Sequence, residues 1–378
     1  FILGAAKFDG PYESTSFTTA KYLAQKNDVY YFDYPYTWKD YKKKGDLRQF
    51  EVRKRGFGNP KYSIIDTEIP RLKVVVLPLM LSINFLPEGS LYRFLLNIND
   101  KRIIQRIKYI IASKKIKDYI YINSFNFHYP SIASRLNALL NVYHCVDPIV
   151  VDHDKRHGIK SEMIIIDDAD IIICTSRKLY IEKSKLKQST YFIPNAANLS
   201  HSGRVMDPNL QPNPIIQQVQ RPIIGYFGNI ERRIDYDLLG KVADLNPDKT
   251  FVLAGPVSKE YITQSFKEKK NIVFHEAIPY NEMPAMIKAF DVCIIPFKKD
   301  EFSSTIFPLK LFEYLGSGKP VVATNFNEDL SEFTLDAINY CSDAISFSNE
   351  INRILRFDSS LDQKKDLPSR QIIHGKGV

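Results

Sequence analysis

Phe307-Pro-Leu-Lys-Leu-Phe-Glu-Tyr-Leu-Gly-Ser-Gly-Lys-Pro-Val-Val-Ala-Thr324 is the stretch whose reading decides the fold. Pro308 suits a first helical position, where its missing N–H would be unsatisfied in any case. Lys310 and Glu313 are three residues apart and share one helical face near the N-terminus. Gly316 and Gly318 stop the helix, and Val321-Val322-Ala323 then runs as a buried strand. A helix N-terminus with a cation beside it holds a diphosphate. A carboxylate one turn later can accept two hydroxyl hydrogen bonds from a ribose. The pattern is half of a nucleotide-sugar site.

Working outward, the same strand-and-helix rhythm fills the chain. Phe1-Ile-Leu-Gly ends a strand, Asp9-Gly10-Pro11 turns, and Ser14 or Thr15 caps a helix running to about Gln25. Strands follow at Val29-Tyr-Tyr-Phe, Tyr119-Ile-Tyr-Ile-Asn, Leu140 to Val146 and Ile171-Ile-Ile-Cys-Thr. A second series begins at Ile223-Ile-Gly-Tyr-Phe-Gly and continues through Thr250 to Pro256, Ile272-Val-Phe, Asp291 to Pro296 and Val321 to Thr324. Alternation of this kind predicts parallel sheets covered on both faces. The expected division is an N-terminal acceptor-binding domain over 1–200, a linker rich in Gly, Pro, Asn and Gln over 201–221, a nucleotide-sugar domain over 222–357, and a tail over 358–378 that crosses back to the first domain. Two such halves are what an enzyme with its site between domains requires.

A second motif, Gly225-Tyr-Phe-Gly-Asn-Ile-Glu-Arg-Arg-Ile-Asp235, sets a glycine turn and two arginines after a strand. Gly228 stands where backbone must approach a donor, and Arg232 or Arg233 neutralises a diphosphate through charge-assisted bonds. Together with the 307–324 stretch, this resembles the donor-binding half of the GT-B glycosyltransferases, in particular the retaining family 4. The resemblance is strongest over 222–325 and looser before it. It implies two Rossmann-like domains, a nucleoside-diphosphate sugar as donor, and retention of anomeric configuration without a bound metal or other cofactor. It further implies that Lys310 and the amides around Ile306 and Phe307 meet the diphosphate while Glu313 holds the ribose. The family usually carries a second Glu eight residues before the ribose Glu. Here that position is Thr305, and Glu301 lies four residues too early to replace it.

In the first half, Asn123-Ser-Phe-Asn-Phe-His-Tyr-Pro follows a strand directly, so His128 is expected at the carboxyl edge of the sheet, where open α/β sheets bind ligands. Relatives place a histidine in this region near the reacting sugar. Asp147 closes the next strand and is a candidate for acceptor binding or proton transfer, or a turn cap. Asp168-Ala-Asp170 has the D-x-D form of a metal site in another fold, but directly before a buried strand it reads as a helix-to-strand corner. Ala277 to Pro284 resembles the family segment beside the nucleotide base, with Tyr280 a weak side-chain candidate.

Composition bounds the rest. The 378 residues suffice for two cores, with 44% hydrophobic and 25% charged content. Residues 1–200 hold 31 Lys and Arg against 20 Asp and Glu, leaving 21 against 23 in the remainder. A basic excess confined to one half points to a polyanionic surface. Lys101 to Lys117 carries seven basic residues, no acid, and isoleucines at helical spacing. Trp38-Lys-Asp-Tyr-Lys-Lys-Lys and an apolar wedge through Leu77-Pro-Leu-Met-Leu81 favour an anionic membrane surface over nucleic acid, for which no module is visible.

Cys145, Cys174, Cys293 and Cys341 have neither metal nor dense disulfide spacing and read as buried thiols. Residues before Phe1 are expected to be missing. The expected place is the cytoplasm, peripheral at the inner face of its membrane. The expected function is transfer of a sugar to a membrane-associated glycan, lipid-linked or polysaccharide acceptor. A nucleotide-sugar 2-epimerase of the same fold and a non-catalytic nucleotide-sugar-binding scaffold in a glycan-assembly complex remain open beside it.

Overall fold

The structure is a computed structural model that describes residues 1–10 and 14–361. Pro11 of the expected turn and the tail beyond Leu361 lie outside the described residues. The chain divides into two compact units. One comprises Phe1–Asn195 with Ser304–Phe307, the other Ala196–Ser303 with Pro308 onward.

The strands of the first unit are β1 (Ile2–Gly4), β2 (Val29–Phe32), β3 (Ile64–Asp66), β4 (Leu72–Val75), β5 (Ile120–Ser124), β6 (Leu140–Cys145), β7 (Ile171–Cys174) and β8 (Thr190–Phe192). Its helices are α1 (Thr15–Leu23), α2 (Trp38–Lys43), α3 (Leu47–Gly58), α4 (Ser90–Lys114), α5 (Asp152–Asp168) and α6 (Arg177–Ser184). The sheet order is β3-β4-β2-β1-β5-β6-β7-β8, parallel except where β3 pairs antiparallel with β4. Parallel pairing needs crossover helices on both faces, so these strands are short apolar runs rather than polar–apolar alternations. Ser14 caps α1 by accepting from Phe17 N at 3.2 Å, as its position before the apolar run predicts.

The isoleucine-rich helix α4 packs Ile103, Ile104, Ile107 and Ile110 against Leu3, Phe32 and Val75. It starts at Ser90, well before Lys101, and two of its seven expected surface cations are consumed internally. Arg102 donates to the Leu79 carbonyl at 2.6 Å, and the buried Arg106 donates to the carbonyls of Gly56 (3.0 Å) and Val76. Burial lowers Arg106 to about 10. Lys101, Lys108, Lys114, Lys115 and Lys117 stay exposed. The expected wedge is also revised: Leu77 is 2% exposed and Met80 lies wholly inside, because this run closes the core under α4. The large exposed apolar groups near it are Trp38 (47%) and Phe85 (75%).

The second unit contains β9 (Ile223–Phe227), β10 (Thr250–Ala254), β11 (Ile272–His275), β12 (Val292–Ile295), β13 (Val321–Thr324) and β14 (Tyr340–Cys341). Its helices are α7 (Leu199–Ser202), α8 (Tyr236–Leu245), α9 (Gln264–Lys267), α10 (Met283–Lys288), α11 (Leu309–Gly316), α12 (Leu330–Thr334) and α13 (Ala344–Leu361). The sheet runs β11-β10-β9-β12-β13-β14, parallel throughout. Strands β10, β12 and β13 are buried along their whole length, as a sheet covered on both faces requires. The stretch expected to be a linker is packed structure: Val205 and Ile216 are buried, and Asn213 N donates to the Ala285 carbonyl at 3.0 Å. Its polar composition reflects short 3-10 turns rather than an open tether.

All four cysteines are free and buried. No helix among the described residues is long and apolar enough to cross a membrane.

Candidate active site

Helix α11 organises the second unit's candidate site. Pro308 is its N-cap, one residue earlier than the first helical position expected, with φ −75° and ψ 124°. Leu311 and Tyr314 face the core, which leaves Lys310 and Glu313 on another face one turn apart. The helix ends as a Schellman motif. Gly318 N donates to the Leu315 carbonyl at 3.0 Å and Lys319 N to that of Tyr314 at 3.3 Å. Gly318 has φ +72°, a conformation a Cβ disfavours. The Tyr314 hydroxyl accepts from Phe227 N at 2.7 Å, which ties the helix to the end of β9.

At that end the chain turns sharply. Gly228 has φ +138°, and a Cβ on it would stand 2.6 Å from Lys310 Nζ. The Lys310 ammonium donates to the Tyr226 hydroxyl and lies 4.0 Å from the Tyr226 ring centroid and 5.2 Å from that of Phe297. Burial, with the charge of Arg233 next, holds this ammonium well below the ordinary lysine value. Glu313 and Glu231 pull the other way without cancelling that. A cation enclosed by two aromatic faces and facing another cation is poised to accept an anion.

The loop after Gly228 is pinned by the buried Ile230 and Ile234. Between them, Glu231 pairs with Arg233 and lies 3.9 Å from Arg232. The arginines then diverge. Arg232 stacks 4.2 Å over Phe302, whereas Arg233 lies 5.7 Å over Phe297, the ring that also underlies Lys310. Asp235 caps α8 by accepting from Leu238 N at 2.9 Å, which fixes where the loop ends.

On the far side of Lys310, the Tyr280 hydroxyl donates to Glu313 Oε1 at 2.8 Å. His201 of α7 stacks on the Tyr280 ring, centroids 4.3 Å apart and planes 16° apart, and its Nε2 lies 3.0 Å from the Tyr280 carbonyl. The structure therefore groups Gly228, Arg233, Lys310 and Glu313 within one unit. It adds Tyr226, Glu231, Phe297, Tyr280 and His201, which spacing did not single out as a group. Tyr226 and Glu231 lie inside the 225–235 motif, and Tyr280 lies in the 277–284 run that resembles a nucleotide-proximal segment; Phe297 and His201 carried no sequence signal.

Thr305, Ile306 and Phe307 are buried and group by their contacts with the first unit. There Asn195 Nδ2 donates to the Phe307 carbonyl at 3.0 Å, and Lys178 Nζ to Ser304 Oγ at 3.0 Å. His128 and Asp147 also belong to the first unit, following the neighbouring strands β5 and β6 and so sharing one carboxyl edge. His128 is half-buried beside Phe127, ring centroids 4.5 Å apart. Burial lowers its pKa, Asp154 raises it, and His153 and His157 lower it, leaving the net shift downward. Asp147 is exposed in the bend after β6. The Asp168–Asp170 pair forms the corner its sequence indicates: Asp170 Oδ2 accepts from Asn141 N at 2.7 Å. Among the described residues, no group of three or more His, Cys, Asp and Glu side chains is placed to hold a metal ion.

The profile of the family "Glycosyl transferases group 1" matches residues 221–356, the span that holds Gly228, Arg233, Lys310 and Glu313. Residues 221–356 form a group 1 glycosyl transferase domain. A Bacillus subtilis (strain 168) protein, TuaH, named as a glycosyltransferase of teichuronic acid biosynthesis, is 28% identical over 214 residues. That match covers 52% of this chain and 53% of TuaH, so it spans about half the length of the relative. Structural likeness runs further than the group 1 domain. Sucrose-phosphate synthase of Thermosynechococcus elongatus superposes with a TM-score of 0.62 at 15% identity, covering 95% of this chain and 90% of that one. Anabaena HepE in complex with UDP and glucose gives 0.60 at 15% identity, with the same coverage. Trehalose-phosphate synthase of Burkholderia vietnamiensis gives 0.63 at 10% identity, covering 96% and 92%. Likeness at such identity establishes the fold: the group 1 domain is one of two Rossmann-like units of a GT-B chain.

Proposed function

We propose that the chain is a glycosyltransferase that takes a nucleoside-diphosphate sugar and extends a cell-envelope polysaccharide or a lipid-linked precursor of one. The observation that carries this reading is the Lys310 ammonium, desolvated between Tyr226 and Phe297 at the start of α11, with Glu313 one turn on. Transfer of a sugar leaves a nucleoside diphosphate, and stabilising that departing charge is the main electrostatic task. Lys310 and Arg233 supply the positive charge, and Glu313 accepts from the ribose; donation by the amides around Ile306 and Phe307 is left as an expectation of the sequence resemblance. Arg233 is preferred to Arg232 because it shares Phe297 with Lys310. With two cations available for the leaving group, the reading needs neither metal nor other cofactor.

The first unit is assigned the acceptor, with His128 and Asp147 as its chemical groups. Retention follows from the resemblance to family 4. The teichuronic acid role in the name of TuaH and the UDP bound to HepE support an envelope polysaccharide and a nucleotide-sugar donor. The lysines of α2 beside the exposed Trp38 support a peripheral position on an anionic membrane surface at the cytoplasmic face.

The test is donor turnover by the purified chain with each common nucleotide sugar, with and without polysaccharide or lipid-linked acceptors, in the presence of a chelator. Acceptor-dependent release of nucleoside diphosphate that Glu313→Ala abolishes is expected. Epimerised donor formed without acceptor, or no turnover with any donor, would overturn the reading.

A further inference from the structure

Glu313 is a carboxylate on the outer part of a helix, and its side chain has three rotatable bonds. A ribose diol needs its two oxygens in one orientation, so something must hold them. The Tyr280 hydroxyl does so from outside the helix, donating to Oε1 at 2.8 Å across 33 residues of sequence. Tyr280 is in turn held twice by His201. Their rings stack at 4.3 Å, and the imidazole Nε2 lies 3.0 Å from the Tyr280 carbonyl. His201 is placed by α7, whose N-cap Asn198 accepts from His201 N at 3.2 Å. The short segment after residue 195 thus reaches the acidic end of the site through a chain of three side chains.

We propose that Tyr280, braced by His201, is a positioning residue that orients Glu313 for the two ribose hydroxyls and so sets the preference for ribonucleotides over deoxyribonucleotides. The inference rests on the ribose role proposed for Glu313. A carboxylate has about four acceptor sites, so one bond from tyrosine and two from a diol are compatible. The tyrosine bond also fixes a rotamer that the ribose would otherwise have to order, which lowers the cost of binding. Removing the Tyr280 hydroxyl leaves the carboxylate in place without the bond that sets the direction of Oε1. The loss then falls on ligands that use both hydroxyls and spares those that cannot.

The experiment measures calorimetric affinities of UDP, GDP, ADP and CDP and of their 2′-deoxy forms for wild type, Tyr280→Phe, His201→Ala and Glu313→Gln. For the best-bound base, Tyr280→Phe is expected to weaken the ribo form about tenfold and the deoxy form by less than about twofold. The ribo-to-deoxy ratio then falls toward that of Glu313→Gln, with His201→Ala intermediate. A merely structural role for Tyr280 would weaken both forms alike and leave the ratio unchanged, which overturns the proposal. If Glu313→Gln lowers the ratio while Tyr280→Phe does not, positioning fails and the ribose role stands. If Glu313→Gln leaves the ratio unchanged, or no nucleotide binds, both fall together. Thermal melts of each variant confirm that the loop is folded.

Discussion

Gly228 and Lys310 are fitted to one another across 82 positions of sequence: a Cβ at residue 228 would lie 2.6 Å from the lysine Nζ and 3.2 Å from its Cε. The glycine is held at φ +138°, a conformation that side chains rarely adopt, and a Cβ there would displace the tip of the lysine. The lysine is in turn seated on Tyr226, two residues before the glycine.

Gly228→Ala should therefore act on the cation as well as on the backbone. A strained conformation of this kind costs about 1–3 kcal/mol, and the lysine must also move. Nucleoside-diphosphate affinity is expected to fall at least about tenfold by calorimetry, with a lowered melting temperature. Unchanged affinity would show that Lys310 does not meet the diphosphate from this position.

Lys310 should leave a signature in pH. Burial depresses its folded pKa below the ordinary 10.5, so between those two values the unfolded chain binds a proton that the folded chain has lost. Stability contributed by this group therefore rises with pH across that window and levels off above 10.5. Lys310→Met should be the more stable protein at the low end, with the difference shrinking as pH rises. A bound diphosphate favours the charged amine, so binding at a pH between the depressed folded value and the ordinary 10.5 should take up protons in wild type and not in the methionine variant. Calorimetry in buffers of differing ionisation enthalpy reads that uptake.

The two arginines should separate. Arg233→Ala is expected to weaken nucleoside-diphosphate binding about tenfold or more, the scale of a hydrogen bond to a charged group. Arg232→Ala, which removes a side chain stacked on Phe302, should change it less than about threefold. Isothermal titration of both variants decides it, and equal losses would count against the assignment.

Membrane attachment is expected to depend on α2 rather than on the isoleucine-rich helix α4. Lys39 N donates to Ser82 Oγ at 3.2 Å, which sets the 82–85 loop beside α2. Replacing Lys39, Lys42 and Lys43 by Gln should lower partition onto vesicles rich in phosphatidylglycerol about 100-fold, at about 1 kcal/mol for each lysine. Sedimentation against neutral vesicles is the comparison. Equal binding to both kinds of vesicle would remove the electrostatic basis of the proposal.

The readings that carried over from sequence share one property: they concern neighbours along the chain. Lys310 and Glu313 could be placed on one face because helical periodicity is local and fixed. The glycine stop at 316–318 and the capped start of α1 at Ser14 follow from backbone requirements at single positions. The misreadings concern side chains whose surroundings come from elsewhere. Leu77 to Leu81 has the composition of an interfacial wedge, yet α4 covers it. Arg106 has the appearance of a surface cation, yet it donates to carbonyls 30 and 50 residues away. Nothing within a few residues of either distinguishes the two outcomes.

The sequence by itself determined the alternation of strands and helices, the two α/β series, and the helix that brings Lys310 and Glu313 together. Those are consequences of periodicity, glycine and proline geometry, and apolar run length, all written within about twenty residues. Tertiary structure alone decided which arginine joins Lys310, that Tyr280 and His201 brace Glu313, and that the lysine ammonium sits against two aromatic rings. Each of those depends on an aromatic ring delivered by a distant strand or loop: Phe297 after β12, Phe302 beyond it, Tyr280 before α10. Desolvation and side-chain direction in a loop are properties of the packed neighbourhood, and the neighbourhood exists only once the sheet has brought those segments together.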